Sequence, residues 1–271
     1  MPHALFLNCT LKKSPEISNT QALVDKVAGF MEELGATTET VRVIDHNVLF
    51  GVESDMGDGD EWPTVLERIR ACDILVVATP IWFGVRGSVC QMAIERLDGT
   101  YRQGDPVTGQ YPLYGKVAGC IVTGNEDGAH DICANTLFNL THLGCTIPPN
   151  VDSYWVGDAG PGPSYIEAHG DRHRYTNRTA LYMAHNLVWM AGVIAENPCP
   201  TNLLELDARG RELSDDLAPG DGPARVTAGW PSPASDLQPQ SGPLLGDRGD
   251  MRLEVVDRVL EQLEQADRAD L

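Results

Sequence analysis

The chain has 271 residues, of which 42% are hydrophobic and 22% are charged, a composition typical of a folded protein with one large core. Its formal net charge of −19 argues against nucleic acid as a partner, because phosphate backbones are bound by clustered Lys and Arg. No apolar run approaches the roughly 18 residues of a membrane helix, and the N-terminus lacks the basic segment of a signal peptide. We therefore expect a cytoplasmic protein that binds neither membranes nor nucleic acid.

From residue 3 to residue 196, apolar runs of strand length alternate with segments of helical period. The first run, "HALFLN", precedes a helix that Gly35 ends and whose apolar side chains share one face: Leu23, Val27, Phe30, Met31 and Leu34. The later strands are predicted in "TTETVRVI", "DILVVATP", "KVAGCIVTG" and "CTIPPNV". The later helices are predicted in "WPTVLERIRAC", "SVCQMAIERL", "DICANTLFNLTHLG" and "TNRTALYMAHNLVWMAGVIAE".

Two of these strands, over residues 74–78 and 117–122, are apolar without alternation, which is typical of strands covered on both faces. Five such strands with intervening helices predict an α/β fold, a doubly wound parallel sheet. Ligands of that fold bind beyond the carboxyl ends of the strands. We expect this domain to occupy residues 1–196.

The sequence changes character after Asn197. Residues 197–250 are rich in Pro, Gly, Ser and Asp and lack a sustained period, so they predict a partly disordered extension. Residues 251–271 predict an amphipathic terminal helix, because four apolar side chains recur at intervals of three or four: Leu253, Val256, Leu260 and Leu263. An accessory helix packed on the domain and a partner-binding element both remain possible interpretations of this helix.

Cysteines and histidines do not predict a metal site. The seven cysteines are scattered, odd in number and never spaced C-x-x-C, so neither a disulfide framework nor a zinc site is indicated, and most are expected in the core. His169 and His173 have i, i+4 spacing, but a glycine lies between them and no third ligand is near in sequence.

Three strand ends carry residues suited to a ligand. After the first strand, "NCTLKKSPEISNT" is rich in hydroxyl groups, which either cap a helix or hold an anion at the helix N-terminus. After the third comes the aromatic "TPIWFGVRGS", and after the fourth the glycine-containing "TGNEDGAH". Together they supply an anion cradle, an apolar wall and exposed backbone N–H groups, as a phosphorylated aromatic cofactor requires.

These loops resemble those of the flavodoxin-like NAD(P)H-dependent FMN reductases and quinone reductases. In the first loop, residues 9–12 stand where the family has G-S-x-R, with Thr10 at the Ser position, Cys9 in place of the usual Gly and Lys12 in place of the Arg. The second half of that loop matches at Ser18, Asn19 and Thr20. The middle loop matches at Pro80, Ile81, Trp82, Phe83 and Gly84, with Ser88 and the pair Glu95-Arg96 beyond it. The third loop matches at Thr123, Gly124, Asn125 and Gly128.

The resemblance implies a flavodoxin-like five-stranded sheet of order 2-1-3-4-5 and FMN and NAD(P)H as cofactors. It also implies a small-molecule electron acceptor, such as a quinone or free flavin, and a homodimer. The first loop would hold the phosphate, Trp82 and Phe83 would flank the flavin ring, and Asn125, Glu126 and nearby amides would contact its edge. Hydride transfer between stacked rings needs placement rather than a nucleophile, so no catalytic residue is predicted.

Other interpretations remain open. An FMN-binding electron carrier would share the fold, and a degenerate domain could serve as an interaction module. A phosphatase with Cys9 as nucleophile is excluded, because Pro15 stands where its Arg is needed. His130, at a helix start, would contact the nicotinamide, protonate an acceptor or act only as a cap. The long segment over residues 157–177 is expected to shape the acceptor pocket.

Overall fold

A computed structural model describes residues 1–160 and 162–214. The strands within these residues are β1 (His3–Asn8), β2 (Thr37–Arg42), β3 (Ile74–Trp82), β4 (Val85–Arg86), β5 (Val117–Gly124) and β6 (Asp152–Val156). The α-helices are α1 (Asn19–Glu33), α2 (Trp62–Ala71), α3 (Ser88–Asp98), α4 (Ala129–His142), α5 (Arg174–Glu196) and α6 (Leu203–Ser214). Short 3-10 helices lie at Val43–Asp45, Gly99–Arg102 and Gly170–Arg172.

Five strands pair in parallel in the order β2-β1-β3-β5-β6. This is the predicted order 2-1-3-4-5 once the parallel strands are numbered among themselves, so the flavodoxin-like fold is confirmed. One detail differs: the chain was expected to leave the strand at Pro80, yet β3 continues to Trp82. It does so because Ile81 and Trp82 pair antiparallel with Arg86 and Val85 of β4 in a short hairpin.

The prediction of the last strand is wrong in position. "CTIPPNV" contributes only an isolated bridge from Thr146 to Val117, and the fifth parallel strand is β6, which pairs with β5 from Asp152 to Val156. Two adjacent prolines, Pro148 and Pro149, lack the N–H groups that a strand needs on its neighbour.

The sheet separates two layers of helices. Alternate side chains of β1 point to opposite faces: Leu5 and Leu7 pack with α2 and α3, whereas Ala4 and Phe6 pack with α1 and α5. The predicted apolar face of α1 is buried at Leu23, Val27 and Met31, and Phe30 packs partly buried against the same core, but Leu34 caps the helix and lies at the surface. Six of the cysteines are buried and Cys199 is exposed, which agrees with their predicted role as core residues.

The connection between β2 and α2 is held by a buried ion pair. The Arg96 guanidinium on α3 contacts the Asp60 carboxylate at 2.5 Å, and both side chains are 0% exposed. Arg96 also donates to the backbone carbonyls of Leu49 and Glu53, at 2.7 and 2.8 Å. We call residues 46–61 the anchored connection, because one cation reaches three points along it.

Asp60 has further partners besides Arg96. It accepts hydrogen bonds from the amides of Leu49, Met56 and Trp62 at 2.9 to 3.2 Å. Burial alone raises the pKa of Asp60, but the guanidinium and these amides outweigh it and hold the pKa well below its usual range. The buried carboxylate is therefore charged and fully paired at neutral pH.

The first part of the predicted extension contains helix α6. Its first residue, Leu203, donates to the carbonyl of Thr108 at 2.6 Å, and Gln110 donates to the carbonyl of Thr201 at 2.8 Å. The rest of the extension and the predicted terminal helix over residues 251–271 lie outside the described residues. The division of the chain at residues 196 and 250 stays a prediction.

Candidate functional site

The loops after β1, β3 and β5 meet at a cavity of about 250 Å³. It lies at the carboxyl ends of these strands, where a doubly wound sheet places its ligands. The predicted residues that line it are Thr10, Lys12, Asn19, Thr20, Pro80, Ile81, Trp82, Thr123, Gly124 and Asn125. The structure thus brings most of the predicted set to one place.

Four predicted residues lie outside the lining. Ser18 is the N-cap of α1, and its hydroxyl accepts from the amide of Gln21 at 3.1 Å. Phe83 is 96% exposed at the tip of the β3–β4 hairpin, whereas its neighbour Trp82, which does line the cavity, is 52% exposed. Gly84 and Gly128 shape the backbone near the cavity without lining it.

These two glycines hold the middle and third loops in contact. Both have left-handed backbones, with φ of +76° at Gly84 and +123° at Gly128. A Cβ on Gly128 would lie 2.2 Å from the carbonyl oxygen of Gly84, so only glycine permits this approach. The Glu126 carboxylate also accepts from the Gly84 amide at 3.2 Å. The side chain of Glu126 thus joins two loops, besides lining the cavity.

The N-terminus of α1 points two kinds of donor at the cavity. Within the described residues, the backbone amides of Asn19 and Thr20 have no protein acceptor, as is usual in the first turn of a helix. The hydroxyls of Thr20 and Thr123 are 2.8 Å apart, and both residues are buried. One hydroxyl proton satisfies that contact, which leaves the other free to serve an acceptor in the cavity.

Lys12 reaches across the same loop. Its ammonium donates to the carbonyl of Ile17 at 3.1 Å, and the side chain lines the cavity. The loop itself is tied to the end of β2, because the guanidinium of Arg42 donates to the carbonyl of Glu16 at 2.9 Å. A positive charge is therefore held at the end of the cavity where α1 begins.

Five lining residues were not among the predicted set: Leu11, Glu126, Trp155, Ser164 and Tyr165. Two of them lie in the long segment over residues 157–177, which the sequence marked only as shaping a pocket. Trp155 was missed because the last strand was placed too early, so its position at the end of β6 was not recognised. Glu126 was mentioned in the third loop but not selected.

Tyr165 forms part of the wall and of the core. It is 3% exposed, and its ring lies edge-on to Trp155 with centroids 5.6 Å apart. Its hydroxyl is buried without a hydrogen-bond partner among the described residues. Burial, followed by the charge of Asp171, raises the pKa of Tyr165 to about 12, so the phenol stays protonated at neutral pH.

Residues 162–170, which we call the strap, are fastened at both sides of the cavity. The amide of Ile166 donates to the side-chain oxygen of Asn19 at 3.0 Å. The side-chain amide of Asn125 donates to the carbonyl of Gly162 at 2.8 Å. Two side chains that the sequence predicted as ligand contacts are thus bonded to the strap.

The histidines take no part in the cavity lining. His130, in the first turn of α4, contacts the hydroxyl of Tyr154 at 2.7 Å, and His173 contacts the hydroxyl of Thr176 at 2.9 Å. Across residues 1–160 and 162–214, no group of three or more His, Cys, Asp or Glu could hold a metal ion. Nor is any helix of that part long and apolar enough to cross a membrane.

The sequence model of the NADPH-dependent FMN reductases matches residues 2–158. The chain belongs to this family. The match includes β1 to β6 and all three loops, and it ends before the strap. The resemblance seen in the loops is thereby confirmed, and the family's description contains both predicted cofactors, FMN and NADPH.

This FMN reductase family member is similar to a curated enzyme and to a solved structure whose names both contain a flavin phosphate. The 8-demethyl-8-aminoriboflavin-5′-phosphate synthase of Streptomyces davaonensis is 44% identical over 224 residues, 79% of this chain and 86% of the relative. A crystal structure of RosB with its bound intermediate 8-demethyl-8-formylriboflavin-5′-phosphate is 39% identical. That structure has a TM-score of 0.76, and the alignment covers 91% of this chain and all of RosB.

Two further similarities do not bear on the function of this chain. A flavone reductase structure, 14% identical with a TM-score of 0.53 over 73% of this chain and 65% of that one, shows the fold alone. A Mycobacterium bovis protein described as the divalent metal cation transporter MntH is 39% identical over 246 residues, 88% of this chain. The chain spans only 34% of that relative's length, so nothing about transport follows from it.

Proposed function

We propose that this chain binds FMN in the cavity, uses NAD(P)H to reduce it and passes the electrons to a small acceptor such as a quinone or free flavin. The observation that supports this is the meeting of the three predicted loops around one cavity. The family match, which includes all three loops, supports the same assignment.

The α1 end of the cavity suits a phosphate. Among the described residues the amides of Asn19 and Thr20 have no acceptor, and the Thr20–Thr123 pair has a spare hydroxyl proton, so all three groups are available as donors. An anion at a helix N-terminus also gains from the helix dipole. Lys12 adds a positive charge to these donors. The chain has a net charge of −19, so an anionic ligand needs these local donors and the Lys12 charge to offset the overall electrostatic repulsion.

The other end suits a flat ring. Trp82 and Ile81 supply apolar surface, and Gly124 lies so close to Ile81 that a Cβ there would be 2.8 Å from that side chain. The chemistry that FMN supplies when bound is acceptance of a hydride and release of electrons. The chain's own contribution is to hold and orient the ring.

Two measurements test this function. Titration of the purified protein with FMN should quench flavin fluorescence with saturable, stoichiometric binding. The loaded protein should then oxidise NADPH or NADH in the presence of a quinone or excess FMN. Failure to bind FMN would overturn the proposal; binding without nicotinamide oxidation would leave the electron-carrier interpretation in its place.

A second candidate function follows from the Streptomyces relative. Its identity of 44% over 86% of its length supports an enzyme that treats the flavin phosphate as a substrate and alters it at position 8. Mass spectrometry of flavins after turnover distinguishes the two functions. A reductase returns FMN unchanged in mass, whereas a flavin-modifying enzyme yields a flavin phosphate of new mass.

We also propose that the chain forms a homodimer through the β3–β4 hairpin. Trp82, Phe83 and Val85 are 52%, 96% and 54% exposed, and such a cluster of large apolar side chains is typical of an interaction surface. Sedimentation analysis of the parent and of a Phe83→Ser variant tests this proposal. A monomeric parent, or a dimer unaffected by the substitution, would contradict it.

A further inference from the structure

Among the described residues, the lining of the cavity contains a single ammonium group, that of Lys12, and a single carboxylate, that of Glu126. Lys12 lies near the start of α1, where its ammonium donates to the carbonyl of Ile17. Glu126 lies in the third loop, where its carboxylate accepts from the Gly84 amide of the middle loop at 3.2 Å. The positive charge is thus placed with the anion donors of α1, and the negative charge with the two loops that form the apolar wall.

The Glu126 carboxylate is not paired with a cation. None of the ion pairs within residues 1–160 and 162–214 includes it. Its hydrogen bond to Gly84 uses oxygen Oε2, and no donor from the same residues contacts Oε1. Because Glu126 also lines the cavity, its charge acts on a ligand there with less solvent screening than a fully exposed carboxylate has.

The charge of a flavin changes when it is reduced. A hydride that passes from C4 of NAD(P)H to FMN carries two electrons and one proton. It leaves NAD(P)⁺ behind and adds one negative charge to the flavin, until a proton is taken up from water. A carboxylate beside the ring disfavours that added charge, because like charges repel each other in a partly desolvated site. The oxidised ring is uncharged and meets no such repulsion.

We infer that Glu126 sets the redox balance of the cavity, because its carboxylate makes bound FMN harder to reduce than free FMN. This inference rests on the proposed function, since it takes FMN as the ligand. A flavin that is harder to reduce is also the stronger reductant once it has been reduced. The same charge therefore favours the onward transfer of electrons to the acceptor.

The test is a ratio of two dissociation constants, that of reduced FMN divided by that of oxidised FMN. Fluorescence titration gives the oxidised value, and anaerobic equilibration of the loaded protein with a redox dye gives the potential, from which the ratio follows. For the parent we expect a ratio of at least about ten, which equals a potential about 30 mV below that of free FMN. In Glu126→Gln, which keeps an oxygen for the Gly84 amide but loses the charge, the ratio should fall about tenfold.

Asp127→Asn is the matched control. Asp127 is the next carboxylate along the chain, but it is exposed and does not line the cavity. Its ratio should stay within about twofold of that of the parent, because solvent screens an exposed charge. Glu126→Asp, which keeps the charge, should stay closer to the parent than Glu126→Gln does.

A parent that binds reduced and oxidised FMN equally well would overturn the inference and leave the proposed function standing. So would an unchanged ratio in Glu126→Gln. An equal fall of the ratio in Asp127→Asn would also overturn it, because the net charge of the chain would then act in place of Glu126. A parent that binds no FMN would overturn both. If Glu126→Gln fails to fold, Glu126→Ala carries the same comparison, with the same fall of the ratio expected.

Discussion

Two irregular segments that flank the sheet edge are held in different ways. The anchored connection, residues 46–61, is fixed by a buried charge pair and by carbonyl groups that Arg96 reaches. The strap, residues 162–170, is fixed by two neutral hydrogen bonds and one aromatic side chain. Neither segment contains a strand or an α-helix. The two segments therefore differ in the contacts that hold them and not in their secondary structure.

The difference decides how strongly each segment is tied to the stability of the fold. A buried charge that loses its partner is costly, because the remaining ion stays desolvated. A neutral hydrogen bond lost at the surface costs far less, because water replaces the partner. The anchored connection is therefore tied to the integrity of the fold, whereas the strap can change its fastening with the domain still folded.

The largest expected effect comes from breaking the anchored connection. Arg96→Met should lower the free energy of unfolding by about 3–5 kcal/mol, since Asp60 is left buried and unpaired. Denaturant unfolding followed by circular dichroism measures this loss. The control is Arg102→Met, whose partner Glu53 forms an exposed pair and whose loss should cost less than about 1 kcal/mol. If the two variants lose similar amounts of unfolding free energy, the buried ion pair contributes no more to stability than the exposed one, which would refute the comparison.

Acid should weaken the same region. Because the pKa of Asp60 is depressed in the folded protein, its contribution is present above its unfolded pKa of about 3.9 and is lost as pH falls below it. The parent should therefore lose stability faster than Asp60→Asn between about pH 5 and pH 2, by up to about 1.4 kcal/mol per pH unit. Parallel curves for the two proteins would show that Asp60 is not preferentially stabilised in its charged form.

A smaller effect is expected where the strap is seated. Gly170→Ala places a methyl group against the Tyr165 ring, and the overpacking should cost about 1–3 kcal/mol of unfolding free energy. Gly192→Ala is the matched control, because no atom of the described part of the chain lies within 4 Å of the added carbon. Within α5 that change should stabilise by about 0.5–1 kcal/mol. Thermal unfolding of both variants should therefore shift in opposite directions.

The smallest effect should come from Tyr165→Phe. The hydroxyl is buried and has no partner among the residues that the structure describes, so its removal relieves a desolvated polar group and should leave stability unchanged or raise it by up to about 1 kcal/mol. Urea unfolding of the ligand-free protein measures this change. A loss of more than about 1 kcal/mol would mean that the hydroxyl is hydrogen-bonded in solution. The strap would then be held by a buried polar contact, as the anchored connection is.

Much of the fold could be predicted from the sequence because its signals are local. The apolar runs at residues 74–78 and 117–122 are buried on both faces without alternation, and Gly35 ends α1 with φ of +86°. The position of β6 could not be predicted in the same way. The segment "DSYWV" alternates and is short, so it was less prominent than the apolar residues that precede it.

The residues that line the cavity could be predicted where loops follow strands, whereas contacts between residues distant in sequence could not. Thr20 and Thr123 each belong to a recognisable loop, and the sheet order brings them together. Asp60 and Arg96 are 36 residues apart, and no local pattern links them. The hydrogen bonds of Asn19 and Asn125 to the strap likewise join residues distant in sequence. A loop motif alone could not show that these side chains bind the backbone of another segment.

The position of the strap along the chain bears on how the cavity wall is built. The part that matches the FMN reductase family ends at residue 158, and the strap begins at Gly162. The cavity wall is therefore assembled from two consecutive stretches of the chain: the three loops inside the family match, and Ser164 and Tyr165, which follow it.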